Sequence, residues 1–71
     1  MKEYQKRIYK VIKNYIEEYG YSPTYREIAD LAYLNSPATI HHHMKILKEL
    51  GYIDYEFNRN RTVRIIKDLE D

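Results

Sequence analysis

Ser36 to Leu50 reads SPATIHHHMKILKEL, and a helix start is written at its front. Ser36 is placed to accept a hydrogen bond from an orphan N–H, and Pro37 suits the first helical position. Gly51 marks the end, just past Leu50. At 100° per residue Ile40, Met44, Leu47 and Leu50 gather on one side, with His43 and Ile46 flanking them. The opposite side gathers Ala38, His41, His42 and Lys45, with no acid before Glu49. One side is expected to enter a small core, while the other is free to lie against base edges. The stretch reads as a recognition helix.

The flanking segments complete that reading. From Tyr4 to Tyr19 apolar residues recur in steps of three and four (Tyr4, Ile8, Val11, Ile12, Tyr15, Ile16, Tyr19), which specifies an amphipathic helix stopped by Gly20. Lys2, Lys6, Lys10, Lys13, Glu17 and Glu18 fall largely on its other face, as a solvated surface. Tyr21-Ser22-Pro23 connects to a capping box, in which the Thr24 hydroxyl serves the Glu27 N–H and the Glu27 carboxylate reaches back. A short helix from Tyr25 to about Ala32 is expected to bury Ile28, Ala29 and Leu31. Tyr33-Leu34-Asn35 then turns the chain into Ser36, and two helices so joined form a helix-turn-helix.

After Gly51 the period changes. Ile53, Tyr55 and Phe57 alternate with Asp54 and Glu56, a strand with one wet face. Asn58-Arg59-Asn60-Arg61 is turn-prone, Thr62 to Ile66 is a β-branched second strand, and Lys67 to Asp71 is an acidic end expected to fray. The fold class is therefore α+β and mostly helical: a winged helix-turn-helix, three helices followed by a two-stranded β-hairpin wing. Residues 1–71 make one domain, too small for a second core. Nine tyrosines and one phenylalanine offset that small size, since each ring buries a large area.

Composition narrows the function classes. Cysteine is absent, which removes disulfides and thiolate metal sites. The N-terminus is charged rather than a signal peptide, and no apolar run approaches the roughly 20 residues of a membrane span. A cytoplasmic location is the expectation. Twelve Lys and Arg against 11 Asp and Glu leave a net charge of +1, weak for a nucleic-acid domain. Distribution matters more: six acids sit at Glu49, Asp54, Glu56, Asp68, Glu70 and Asp71, away from the outer side of the central helix.

The stretch GYSPTYREIADLAYLNSPATIHHHMKILKELGYI resembles the N-terminal DNA-binding domain of the LexA repressors. The matching elements are Gly20-Tyr21, Pro23-Thr24, Arg26-Glu27-Ile28-Ala29, Ser36, Thr39-Ile40-His41, His43, Leu47 and Gly51-Tyr52-Ile53. On that resemblance Ser36, Ala38, Thr39, His41 and His42 match positions that enter the major groove of double-stranded DNA at a palindromic operator. Two departures stand out. Tyr33 occupies a turn position where LexA-like chains carry glycine, and a positive φ there costs on the order of 1 kcal/mol, so a different turn is expected. Family members also carry a C-terminal self-cleaving Ser-Lys protease and dimerisation domain, which these residues do not supply. The chain is then either an isolated domain or a stand-alone regulator, and any homodimer on DNA forms through a region absent here.

Residue chemistry assigns the finer roles. Ala38 and the Thr39 methyl suit a thymine methyl, and His41 and His42 donate or accept at base edges or phosphate. Ser36 serves as a cap, a base contact or a phosphate seat. Lys45 is a phosphate contact, and Arg26 either contacts phosphate or pairs with an acid. Arg59 and Arg61, at the hairpin tip, either reach backbone and an adjacent minor groove or remain solvated. His41-His42-His43 suggests metal, but no His, Cys, Asp or Glu stands four residues from any of the three, so no metal site and no cofactor is expected. His43 reads as packed, with one satisfied nitrogen. No catalytic set is recognisable, so the chain is not read as an enzyme. The alternative reading is a winged helix for protein–protein contact through Tyr9 or Tyr33.

Overall fold

The computed structural model describes residues 2–34 and 36–69. The chain forms α1 (Glu3–Tyr19), α2 (Tyr25–Leu31), α3 (Pro37–Glu49), β1 (Ile53–Asp54) and β2 (Arg64–Ile65). The two strands pair antiparallel, Ile53 opposite Ile65 and Asp54 opposite Arg64. This is the expected winged helix-turn-helix, with a shorter strand ladder.

Apolar periodicity sets how the helices dock. Ile8, Tyr9 and Ile12 of α1, Ile28 of α2 with Ala32 just past it, and Ile40, Met44 and Leu47 of α3 meet in one core, closed from below by Ile53, Tyr55 and Val63. Each wholly buried aliphatic side chain stabilises by about 2 kcal/mol, so α3 is held mainly by its three inward residues. The Tyr9 hydroxyl donates to the Lys67 carbonyl at 2.9 Å, which satisfies the one polar atom that this ring takes inside. Tyr9 is 1% exposed and so is withdrawn from any sticky surface, unlike Tyr33 at 85%.

Several residues of the expected apolar faces lie outside, Tyr4 and Tyr19 at the two ends of the α1 stripe among them. Leu31 and Leu50 are about half exposed, and Phe57 is 72% exposed. Leu50 falls about 80° around α3 from Ile40 at 100° per residue, too far to share the buried stripe. In α2 the stripe is Ile28 and Ala32, four apart, and Leu31 is rotated off it. The ladder ends at Asp54 opposite Arg64, so Phe57 sits in the turn, where strand alternation no longer applies.

The connection between α2 and α3 keeps a left-handed residue despite its tyrosine. Tyr33 adopts φ 59°, the Leu34 N–H donates to the Ala29 carbonyl at 2.9 Å, and the Tyr33 N–H donates to Asp30 at 3.3 Å. That is the closure by which Gly51 ends α3, where the Tyr52 N–H reaches Leu47 and the Gly51 N–H reaches Lys48, both at 3.0 Å. The different turn expected at Tyr33 does not form. Two terminal hydrogen bonds hold the strained residue, and its side chain points into solvent with nothing to clash against.

Candidate nucleic-acid interface

The site begins with α3. Its inner residues are fixed in the core, so its outer residues have defined directions: Ala38, His42 and Lys45 are exposed, and His41 and Thr39 are partly covered. Ser36 caps the backbone in an extended conformation, but its hydroxyl makes no cap bond. Here the expected serine cap is corrected, and the hydroxyl remains available. The Thr24–Glu27 box does form: Glu27 N–H donates to Thr24 Oγ1 at 3.1 Å, and Thr24 N–H to the Glu27 carboxylate at 2.8 Å. That cap and the Tyr15 hydroxyl, with Arg61 nearby, hold the Glu27 carboxyl below its ordinary range.

His41 lies between two elements. Its ring packs edge-on to Tyr25 at 4.6 Å and to Phe57 at 6.5 Å between centroids. It borders two grooves. One is shared with Arg26 and Tyr25 on the α2 side, and the other with Ala38, His42, Lys45 and Phe57 on the wing side. Arg26, Ala38, His41, His42 and Lys45 are thus brought onto one continuous surface. Arg26 is exposed and has no ion pair among the described residues.

The third histidine turns away from this surface. His43 stacks on Tyr4 at 5.8 Å, and its Nδ1 meets the Gln5 amide nitrogen at 3.1 Å. Burial first, then the nearness of His42 and Lys2, holds its pKa below the ordinary histidine value. No group of three metal-ligating side chains occurs among the described residues.

The wing arginines are engaged by the protein itself. Arg59 pairs with Glu56 at 2.8 Å on the exposed tip. Arg61 turns toward α2: it donates to the Ser22 carbonyl at 3.0 Å, pairs with Glu27 at 3.2 Å, and stacks over the Tyr21 ring at 5.0 Å. Further bonds join the same parts. Val63 N–H donates to Ser22 Oγ at 3.0 Å, Tyr25 N–H to Asn60 at 3.1 Å, and the Tyr25 hydroxyl to the Glu56 carbonyl at 3.1 Å. Arg61 is therefore placed apart from the α3 surface, as a strap between wing and helix-turn-helix.

Among the acids around this surface, three have cationic partners, while Asp30 and Glu49 have no ion pair among the described residues. Asp54 is held by Arg64 at 3.0 Å and Lys48 at 3.4 Å, which keeps its carboxyl below the usual range, with Arg64 the larger cause. Glu56 and Glu27 have their arginines. Asp30 shares the α2-side groove with Arg26, and Glu49 shares the wing-side groove with Lys45, so the cations of this face stand beside acids.

Sequence reading overlooked two residues of the surface, Tyr25 and Phe57. Tyr25 carried no signal beyond its place at a helix start. Alternation along the strand places Phe57 on the buried face, but the ladder ends before it.

A helix-turn-helix whose third helix carries no acid before Glu49 on its outer side, with a strapped hairpin beside it, defines a winged-helix DNA-binding module. The chain belongs to the LexA DNA binding domain family, which matches residues 1–62. It is similar to the LexA repressor of Carboxydothermus hydrogenoformans, 39% identical over 64 residues, covering 90% of this chain and 31% of that protein. The LexA repressors of Thermobifida fusca, 40% identical over 63 residues (89% of this chain, 25% of that one), and Staphylococcus aureus, 38% over 64 residues (90% and 31%), are similar too. The chain spans less than a third of the length of each of these relatives. The part matched by that family model is a DNA-binding domain. No helix among the described residues is long and apolar enough to cross a membrane.

Proposed function

We propose that this chain is the reading module of a transcriptional repressor that acts by occupying a double-stranded operator. α3 enters the major groove and presents Ala38, Thr39, His41 and His42 to base edges, with Ser36 at its start. Arg26 and Lys45 contact phosphates on either side, and Arg59 reaches the backbone by exchanging Glu56 for a phosphate oxygen. Occupancy excludes polymerase sterically, and catalysis has no part in it. A single module covers modest area, so tight binding requires two copies on a palindrome, joined through a region outside these residues. Residues 1–71 act as one unit.

The observation that carries this reading is the outer face of α3: four side chains without an acid among them, held outward because Ile40, Met44 and Leu47 are wholly buried. Selection from a random duplex pool tests it. A shared half-site is expected, with His42→Ala relaxing preference within it. Log affinity should fall against log salt with a slope of about −3, for three or four phosphates. A pool without enrichment, or binding indifferent to salt, refutes the proposal.

A further inference from the structure

Phe57 leaves an apolar ring in water at the wing, 72% exposed, beside the helix that reads DNA. A lone exposed ring is ordinary on a protein surface. This one is not placed at random. It stands edge-on to His41 at 6.5 Å, and with Ala38, His42 and Lys45 it borders one groove between α3 and the wing.

Its position is also held. The residue before it, Glu56, accepts the Tyr25 hydroxyl on its carbonyl at 3.1 Å and donates its N–H to Thr62 Oγ1 at 3.0 Å. Asn60, three residues on, accepts the Tyr25 N–H at 3.1 Å. Both anchors lie on the first residue of α2, so the turn carrying Phe57 is referenced to the helix-turn-helix rather than swinging free.

We propose that Phe57 is a specificity-determining residue that reads a thymine C5-methyl at the base pair next to the one met by His41. The inference rests on α3 lying in the major groove as proposed above. A phenyl ring has no hydrogen-bond donor or acceptor, so phosphate and polar base edges give it nothing. The thymine methyl is the apolar group on the major-groove edge. The ring stands 6.5 Å from His41, so when that histidine meets one base edge Phe57 is within reach of a neighbouring one. Covering the methyl removes two apolar surfaces from water at once.

Deoxyuridine keeps thymine's pairing and lacks only the methyl, so it isolates this contact. Each thymine of the selected half-site is replaced in turn, and affinity is measured for the unaltered chain and for Phe57→Ala. The ring is solvent-exposed, and retained helical circular dichroism checks that the variant folds. One deoxyuridine is expected to weaken the unaltered chain about fourfold, the worth of one buried methyl. Phe57→Ala is expected to bind the thymine site about tenfold more weakly and to show no penalty at that position.

An unchanged penalty in Phe57→Ala assigns the methyl to Ala38 or Thr39 and overturns the proposal. A half-site without any thymine preference overturns it as well. Either result leaves His42 reading intact, whereas a pool with no enriched half-site removes the DNA-reading helix and Phe57 together.

Discussion

The side-chain amide of Gln5 has no freedom to turn. Its oxygen takes the Lys2 N–H at 2.9 Å, so its NH2 faces His43 Nδ1 at 3.1 Å, and that nitrogen must accept. A protonated His43 would set N–H against N–H. The arrangement therefore favours neutral imidazole, in the same direction as burial. A histidine whose folded pKa is depressed binds its proton more readily when unfolded, so stability rises with pH through this window. Its contribution is whole above about 6.5, and it declines as pH falls below that toward the folded value. Denaturant unfolding between pH 7.5 and 5 is expected to show this decline, and His43→Asn to flatten it. Glu27 acts in the same direction in a separate window. Its carboxyl is depressed first by the Thr24 N–H, so its stabilisation stands above about 4.5 and is lost as pH falls through the carboxylate range. A slope near pH 6 that survives His43→Asn would show that another group titrates there. The Thr24–Glu27 cap was legible because it needs only two residues three apart. The pairing of Gln5 with His43 was not, since 38 residues separate them and only packing brings them together.

At the level of elements, the wing is a loop strapped down more than a sheet built up. Two residues per strand give little ladder, and a hairpin of that size is not stable by itself. Arg61, Asn60 and the Ser22 hydroxyl supply the attachment instead. Arg61→Ala is expected to cost no more than about 1 kcal/mol, because the pair with Glu27 is partly solvated. Its clearer effect is local: the Val63 amide, which donates to Ser22 Oγ, should exchange with solvent faster, while amides of α1 keep their protection. If Arg61 instead served mainly as a phosphate contact, the variant would lower the salt slope by about 1 and leave Val63 protected. Hydrogen exchange and salt titration on one variant thus separate strap from contact. The three helices and their order were readable because period 3.6 and Gly20, Thr24, Pro37 and Gly51 mark them independently. Leu31, Leu50 and Phe57 were misplaced where periodicity is weakest: in a helix of two turns, at a helix end, and past the last ladder pair. Tyr33 shows the complementary limit. A local preference against positive φ is worth about 1 kcal/mol, less than the two terminal hydrogen bonds and the docking of α3 that require the turn.

For the whole molecule, size and charge set what one copy achieves. The described residues extend 26 × 25 × 21 Å, narrower than the 34–36 Å between successive major-groove faces on one side of B-DNA. Two copies therefore fit side by side on adjacent half-sites without overlapping. With few cations on the face and a net charge of +1, one copy has little non-specific electrostatic affinity to draw on. Most of its operator preference must then come from having both half-sites engaged. Joining two copies by a flexible linker that spans this distance supplies the second at an effective concentration near millimolar. Affinity for a palindrome of selected half-sites, 10 or 10.5 base pairs centre to centre, is expected to rise about 10²- to 10⁴-fold over the single copy. Moving the half-sites apart by five base pairs places them on opposite faces of the duplex, and most of that gain should vanish. Fluorescence anisotropy on the two spacings measures the difference. Equal gains on both would mean that the linked copies bind through charge alone, and the outer face of α3 would then carry no positional information.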